Sequence, residues 1–199
     1  YSLGSAEFTI VGPRHVGEDS NDNSIAFVLT HGENRFYFEG DAGEAEEKEI
    51  LDSGIEVAAD VYKIGHHGSK TSTTDEMLDA VSPGYAVVSV GENSYGHPSA
   101  EVLNKLRAAG VSVYRTDEQG VIVAVSDGEN ITFNTQPDDS WQAGEPAGAA
   151  EEETVHITKT GKKYHRAGCA SLGESDLTVT LQEAKSKGLT PCAKCEPPR

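Results

Sequence analysis

Residues 59–72 read ADVYKIGHHGSKTS. The first six form a short apolar run that is typical of a buried strand, and His66 and His67 follow it between two glycines. Adjacent histidines on a flexible polar loop add little to packing, but imidazole readily binds a metal or transfers a proton. This stretch therefore predicts a buried strand that ends in a chemically active loop.

The same alternation of strands, polar loops and helices extends to both sides of this stretch. The predicted strands are 6–11, 25–30, 35–39, 59–64, 85–90, 111–115, 120–125 and 130–134, and the predicted helices are 44–53, 74–81 and 99–109. Strands that alternate with helices, with antiparallel hairpins at both ends, favour an α/β layered domain with a mixed sheet.

Three of the predicted strands run into polar loops that carry candidate metal ligands. Asp41 follows strand 35–39, His66 and His67 follow strand 59–64, and His97 lies in the loop after strand 85–90. Because loops after neighbouring parallel strands meet at one edge of such a sheet, we expect these side chains to lie close together. A strand-end aspartate alone usually caps a helix, but carboxylate and imidazole together suit Zn²⁺ or Mn²⁺.

Charge and composition divide the chain. Of the 199 residues, 1–153 carry 8 Lys and Arg against 29 Asp and Glu, a net of −21, whereas 154–199 carry 8 against 4, a net of +4. The acidity of the first region argues against a broad nucleic-acid-binding face there. Residues 136–153 combine Pro, Gly, Ala and acids without apolar periodicity, which predicts a linker between domains 1–135 and 154–199. No apolar run is long enough to predict a membrane-spanning segment.

The three cysteines all lie in the last 31 residues. Cys192 and Cys195 form a Cys-x2-Cys pair, and His165 and Cys169 can supply two further ligands from the end of a hairpin. An odd number of cysteines is a poor disulfide framework, so the alternative to a metal site is ordinary packing. The spacing favours a tetrahedral Cys3His zinc site, structural because all four positions are filled, in a small α+β module whose helix begins after Thr180.

This tail resembles the small zinc-binding module of the Ada type. The similar stretches are KYHRAGC at 163–169 and TLQEAKSKGLTPCAKC at 180–195. That module has cysteine where this chain has His165, so the resemblance supports zinc binding and gives no basis for methyl-acceptor chemistry at that position.

The first domain resembles the second half of the metallo-β-lactamase-fold domain of ComEC-type DNA-uptake competence proteins and their secreted, membrane-free relatives. The similar stretches are DNSIAFVLTHGENRFYFEGDAGEAEEKEIL at 22–51, ADVYKIGHHGSKTS at 59–72 and SVGENSYGHPS at 89–99. The resemblance extends over 5–125 and implies an αββα sandwich. It also implies an extracellular or cell-surface bacterial hydrolase that depends on two divalent metal ions and most resembles a DNA phosphodiesterase or nuclease.

The resemblance assigns roles residue by residue. Asp41 matches the carboxylate that bridges two Zn²⁺ or Mn²⁺ ions, His66 matches a histidine ligand with His67 beside it, and His97 matches a histidine that lines the site as a candidate proton donor. Asn23 stands where many members of the superfamily have another ligand histidine. Because successive side chains of a strand point to opposite sides, we expect only one of His66 and His67 to face the metals, and His66 is the first choice.

The first metal motif of that family, His-x-His-x-Asp-His, does not occur in this chain. We therefore expect the N-terminal half of the sandwich to precede Tyr1 and to complete the site. The alternative is a catalytically inactive scaffold whose basic zinc module binds nucleic acid or a surface polymer.

Overall fold

A computed structural model describes residues 1–145, 154–173 and 175–197. The chain divides into two compact units, Tyr1–Glu145 and Pro146–Arg199, and each has its own sheets and helices. Of the predicted linker 136–153, residues 146–153 lie outside the described part of the chain.

The first unit is a mixed α/β structure built on a seven-stranded sheet in the order β1 to β7. Neighbouring strands are antiparallel from β1 to β4 and parallel from β4 to β7. The strands are β1 Ser2–Leu3, β2 Ala6–Ile10, β3 Phe27–His31, β4 Asn34–Phe38, β5 Val61–Lys63, β6 Tyr85–Val88 and β7 Ser112–Arg115. The helices are α1 Glu44–Asp52, α2 Asp75–Val81, α3 Ala100–Ala108 and α4 Thr116–Gln119. A separate hairpin pairs β8 Ala124–Ser126 with β9 Ile131–Phe133.

Side-chain caps explain why two of the helices begin where they do. The Thr74 hydroxyl accepts a hydrogen bond from the backbone N–H of Met77 at 3.2 Å, and the Ser99 hydroxyl accepts one from Val102 at 3.3 Å. Such caps satisfy N–H groups that have no partner within the first turn, and each typically stabilises a helix by about 1 kcal/mol. The sequence therefore fixes the beginnings of α2 and α3 locally.

One face of the sheet forms the main core. Its alternate strand residues pack against α1, α2 and α3 through Ile50, Met77 and Leu106. The buried strand residues on this face are Val28, Tyr37, Tyr62, Ala86, Val88 and Val113. Their period of two is the pattern that the predicted strands contained, because successive strand residues alternate between faces.

The opposite face of the sheet is rich in aromatic residues and lies apart from that core. Phe27 stacks on Phe38 with ring centroids 4.6 Å apart, and hairpin residue Phe133 stacks on Tyr114 at 3.9 Å. A cavity of about 600 Å³ opens on this face between the strands and the hairpin, with Leu29 among its lining residues. Among the described residues, the core cluster that includes the helices contains no residue of this face. Parallel strands are usually covered on both faces, whereas Phe27, Leu29 and Phe38 on this face of the sheet are only partly buried.

The segment 136–145, predicted as part of the linker, packs against the first unit. Trp141 is half-buried against the core, with the Arg107 guanidinium 4.7 Å from its ring centroid. Arg115, only 2% exposed, donates a hydrogen bond to the Gln142 carbonyl at 2.5 Å. Single contacts of this kind hold the segment, which forms neither a helix nor a strand. Such a segment has no apolar periodicity in its sequence, so the pattern could not predict its packing.

The second unit is a four-stranded sheet in the order β12-β10-β11-β13 with one short helix. Its elements are β10 Thr154–Ile157, β11 Lys163–His165, β12 Leu177–Thr180, α5 Leu181–Ser186 and β13 Thr190–Pro191. The Thr180 hydroxyl accepts from the Glu183 N–H at 3.0 Å, which is the predicted helix start. The sequence also predicted the β10–β11 hairpin but not β12 or β13, which are short and largely exposed.

The helices of both units are short. Within the described residues, none is long and apolar enough to cross a bilayer.

Candidate functional site

The loops that follow the parallel strands β4, β5 and β6 meet at one edge of the first sheet. They carry Asp41, the pair His66 and His67, and His97, respectively. The N–H of His66 donates to the Gly40 carbonyl at 2.9 Å, and the N–H of Asp41 donates to the Ser24 hydroxyl at 2.9 Å. These bonds join consecutive loops, so the geometry of one loop is tied to that of the next.

His66 and His67 lie in a tight 3-10 turn, Gly65–Gly68, and both have left-handed backbone angles, with φ of 44° and 56°. Left-handed conformations cost a residue with a Cβ atom roughly 1–2 kcal/mol. Two such residues in a row are strained, and strain of this kind concentrates at functional sites. The expectation that the two side chains alternate as in a strand is therefore wrong, because the strand has already ended at Lys63.

His67 has the hydrogen bonding of a metal-ligating histidine. Its Nδ1 donates to the Ser89 carbonyl at 2.6 Å, which leaves Nε2 as the free nitrogen, 3.7 Å from Asp41 Oδ1. A backbone carbonyl that fixes the tautomer in this way is the usual partner of an imidazole ligand. Both side chains are about half exposed, so an ion can approach them from solvent.

His66 faces a second cavity, of about 470 Å³, that also borders Asp41. Three further carboxylates line it, namely Asp19, Asp22 and Glu44. Asp22 holds the loop after β4 by accepting from the Gly43 N–H at 3.1 Å. Asp22 was not among the predicted site residues. The sequence did contain a signal for it, because Asp22 directly precedes Asn23 at the start of the stretch 22–51 that resembles the competence proteins.

Asn23 itself does not line this cavity. Its amide oxygen accepts from the Gly17 N–H at 2.8 Å, and its amide nitrogen donates to the Gly17 carbonyl at 3.0 Å. Both ends of the side chain are thus engaged in holding the loop that precedes β3. Asn23 therefore organises the backbone of this loop.

His97 lies beside the histidine pair at the same edge. Its ring centroid is 5.8 Å from that of His66 and 5.8 Å from that of Tyr95, and its Nδ1 is buried without a hydrogen-bond partner among the described residues. Burial, together with the nearby histidines, lowers the pKa of His97 below its ordinary value. The neutral imidazole is therefore favoured at neutral pH, whereas proton donation by His97 would require the less abundant imidazolium.

A buried carboxylate fixes the chain that follows the histidines. Glu47 of α1 accepts hydrogen bonds from the backbone N–H groups of Thr73 and Thr74, from the Thr74 hydroxyl at 2.5 Å and from the Ser72 hydroxyl at 3.3 Å. Hydrogen bonds to a charged group typically contribute more than neutral ones, about 1.5–3 kcal/mol each. The loop is therefore anchored to α1 just after His66 and His67.

Two further carboxylates are buried beneath the loops. Glu39 accepts a hydrogen bond from the Tyr62 hydroxyl, and burial followed by the charge of Glu47 raises its pKa well above the usual range. Glu46 is also buried, and burial followed by the charge of Asp22 raises its pKa to about 7, against a smaller lowering by a backbone hydrogen bond from Ser24. The acidic interior of the first unit is thus partly protonated at neutral pH.

The second unit contains a compact cluster of His165, Cys169, Cys192 and Cys195. Their ligand atoms all lie within 4.8 Å of one another, and His165 and Cys192 are buried. It is the only group of three or more such side chains that converges in this way among the described residues, so Asp41, His66 and His67 do not form a comparable group. The predicted tail residues are therefore brought together and could hold a metal ion such as zinc.

Distances in the cluster fit tetrahedral zinc. A tetrahedron with usual Zn–S and Zn–N bond lengths has its nitrogen and sulfur atoms about 3.5 Å apart. Nδ1 of His165 lies 3.3 Å from Cys169 Sγ and 3.9 Å from Cys195 Sγ, which brackets that value. Nδ1 is thus the nitrogen that faces the thiols.

The surroundings of the cluster favour the metal-binding protonation states of two of these side chains, Cys192 and His165. The N–H groups of Lys194 and Cys195 lower the pKa of the Cys192 thiol, and burial lowers the pKa of His165. Burial has the opposite effect on Cys195, whose pKa is raised although the Arg166 N–H donates to its sulfur at 3.4 Å. A bound cation would stabilise all three thiolates, because metal ligation deprotonates thiols.

Comparison with known proteins places the chain beside proteins of bacterial competence. It is 32% identical over 133 residues to the ComE operon protein 3 of Bacillus subtilis (strain 168), covering 66% of this chain and 17% of that protein. It is 37% identical over 106 residues to the competence protein ComA of Neisseria gonorrhoeae, covering 52% and 15%. It is 32% identical over 117 residues to recombination protein 2 of Haemophilus influenzae (strain ATCC 51907 / DSM 11121 / KW20 / Rd), covering 58% and 15%.

No protein-family profile matches the chain. The chain spans less than a fifth of the length of these three relatives. It is thus similar to one part of much longer competence-related proteins.

Proposed function

We propose that the first unit is the second half of a metallo-β-lactamase-type αββα sandwich. In the complete protein, this sandwich is a metal-dependent phosphodiesterase that cleaves DNA. The observation that carries the proposal is the meeting of Asp41, His66, His67 and His97 at the ends of three adjacent parallel strands. The relatives named for competence and recombination add support for a role in DNA uptake.

The open aromatic face of the seven-stranded sheet supports the sandwich. Leu29 and Phe38 line the cavity, and Phe27 stacks on Phe38; all three are only partly buried. Among the described residues, the core that packs against the helices includes no residue of this face. A second sheet packed there at about 10 Å would bury these side chains. Such a layer, supplied by an N-terminal half, would also bring the remaining metal ligands to the same edge.

The residues present suit part of a two-metal site. Asp41 supplies a carboxylate, His66 lines the cavity beside it, and His67 has its free nitrogen directed at Asp41. When bound there, divalent ions would lower the pKa of a water molecule and neutralise charge on a phosphodiester. Neutral His97, with its lowered pKa, would hydrogen-bond the substrate from its place beside His66.

A second candidate is an inactive scaffold. It is favoured by the contrast between the tail cluster and the first unit, in which no three ligand atoms of the described residues converge. In this candidate the basic second unit performs the function by binding a polyanion, and the first unit serves only as the scaffold to which the second unit is attached.

The test compares the chain of residues 1–199 with the natural protein including any residues before Tyr1. We expect the longer protein to bind Mn²⁺ or Zn²⁺ in addition to tail zinc and to cleave DNA, and Asp41→Asn to abolish both. A longer protein that has a His-x-His-x-Asp-His motif, is folded and fails to bind the extra metal would refute the hydrolase. Cell fractionation would test the extracellular or cell-surface location that we also propose.

A further inference from the structure

The second unit has a cleft beside its Cys3His cluster. The cleft has a volume of about 510 Å³, and His165 and Cys192 form the wall it shares with the metal ligands. Three lysines, Lys162, Lys163 and Lys194, lie around it, and Thr158 and Ser171 add hydroxyl groups. No carboxylate of the described residues lines it.

The three lysines form no ion pair with the described residues. None has its ammonium group within 4.0 Å of a described carboxylate, whereas Lys187, just after α5, pairs with Glu183 at 2.5 Å. All three are exposed, although their main chains lie in ordered structure. The charge of the lysines is therefore available to a ligand.

The cluster holds the main chain of two of these lysines close to its ligand atoms. Lys194 lies between Cys192 and Cys195, and its backbone N–H points to the Cys192 sulfur. Lys163 is two residues from His165 and contributes to the lowered pKa of that histidine. A zinc ion with three thiolates and a neutral imidazole has one net negative charge, which offsets only one of the three lysines.

We propose that this cleft binds the phosphate backbone of DNA. Three ammonium groups around a cleft that also offers hydroxyl donors suit a chain of phosphates, which are contacted by lysine without regard to base sequence. The first region carries a net charge of −21 and repels DNA, so the second unit provides the basic surface. The inference deepens the proposed function by naming the element that holds DNA, but it does not require hydrolysis.

The test uses the full chain loaded with zinc and fluorescent 20-nucleotide single-stranded and duplex DNA. Each phosphate that a lysine neutralises steepens the salt dependence of binding by about 0.7–0.9 in a log–log plot. With three contacts, we expect affinity to fall about 40-fold between 50 and 200 mM salt on duplex DNA. Lys162→Gln/Lys194→Gln should weaken binding about 10-fold or more at 50 mM salt and reduce the slope by about 2.

The matched control is Lys185→Gln/Lys187→Gln, which also removes two lysine charges. These lysines lie on α5 and directly after it, and neither lines the cleft. We expect this control to bind DNA within about threefold of the parent chain, and zinc content and hydrogen exchange should be equal in both variants. Equal losses in the two variants, or a parent chain whose binding does not depend on salt, would overturn the proposal. Binding that depends on the cleft lysines, together with a folded longer protein that has the His-x-His-x-Asp-His motif but cleaves no DNA, would refute the hydrolase alone.

Discussion

The two histidine-containing regions of this chain differ in how completely their ligands are gathered. In the second unit, four ligand atoms from a hairpin end and a Cys-x2-Cys turn lie within 4.8 Å of one another. In the first unit, His67 Nε2 and Asp41 Oδ1 lie 3.7 Å apart at the loop edge, where the loops after β4, β5 and β6 meet, and no third ligand converges on them among the described residues. A structural site is closed by its own segment, whereas a catalytic site keeps positions open for water, substrate or ligands from elsewhere.

Removing metal from the tail should produce the largest effect and would test the closed site. Among its described residues, the second unit has a hydrophobic core cluster of only five buried residues, so we expect metal binding to supply much of its folding energy. We expect about one equivalent of zinc per tail, and loss of folded structure in 154–197 after chelation. Hydrogen exchange measured by mass spectrometry on the full chain would follow both units at once.

The first unit is the internal control in that measurement. Its protection should be unchanged by chelation, and Cys192→Ser should reproduce the selective loss in the tail. A second unit that remains protected without metal would show that its small core suffices, and the two regions would then differ less than their geometry indicates.

Substitutions at the loop edge should have an intermediate effect and would sharpen the contrast. In the complete protein, we expect Asp41→Asn to weaken divalent-metal binding more than about 100-fold, beyond the roughly 10–100-fold that loss of a ligand's hydrogen-bond partner typically costs. Because its Nδ1 is fixed by Ser89 and its Nε2 faces Asp41, His67→Ala should cost at least as much affinity as His66→Ala.

Metal affinity by calorimetry and turnover of DNA should be measured on the same three variants. A greater loss in His66→Ala would restore the assignment made from the sequence. His31→Ala is a suitable control, since His31 is held by Ser5 and Ser126 and borders the open sheet face, away from the loop edge. Unchanged metal binding in all three site variants would place the metal elsewhere.

Most of the fold follows from local signals in the sequence. Strands β2 to β9, the helix starts at Thr74, Ser99 and Thr180, and the Cys3His spacing were predictable, because period, capping and short ligand spacing act over a few residues. The two-residue strand β1 was not predicted. The left-handed turn at His66 and His67 was not predictable, because two non-glycine residues adopt it only under tertiary constraint.

The packing of Trp141 and the role of Asp22 depend likewise on contacts between distant segments. Trp141 meets Arg107, and Asp22 holds the backbone of Gly43. Neither contact produces a periodic pattern in the sequence. The sequence therefore predicted the elements and the tail site better than the arrangement of the loop edge.

The smallest expected effect concerns the acidic interior beneath the loop edge, which has no counterpart among the described residues of the second unit. Glu46 has a pKa of about 7 in the folded chain against an ordinary value near 4.5, so the folded state binds the extra proton. Its contribution to stability is therefore full below about pH 4.5 and is lost as pH rises toward and beyond 7, by at most roughly 3 kcal/mol. Glu46→Gln removes this titration and keeps a side-chain oxygen that can accept the hydrogen bond from the Ser24 backbone. The difference in unfolding free energy between the variant and the parent chain, measured by denaturant titration of the first unit, should move in favour of the variant between pH 4.5 and 8. Glu76→Gln, at an exposed position on α2, should show no comparable trend. A difference for Glu46→Gln that does not vary with pH would mean that this carboxyl is hydrated and ionised in the folded chain, and that burial beneath the loops does not set its charge.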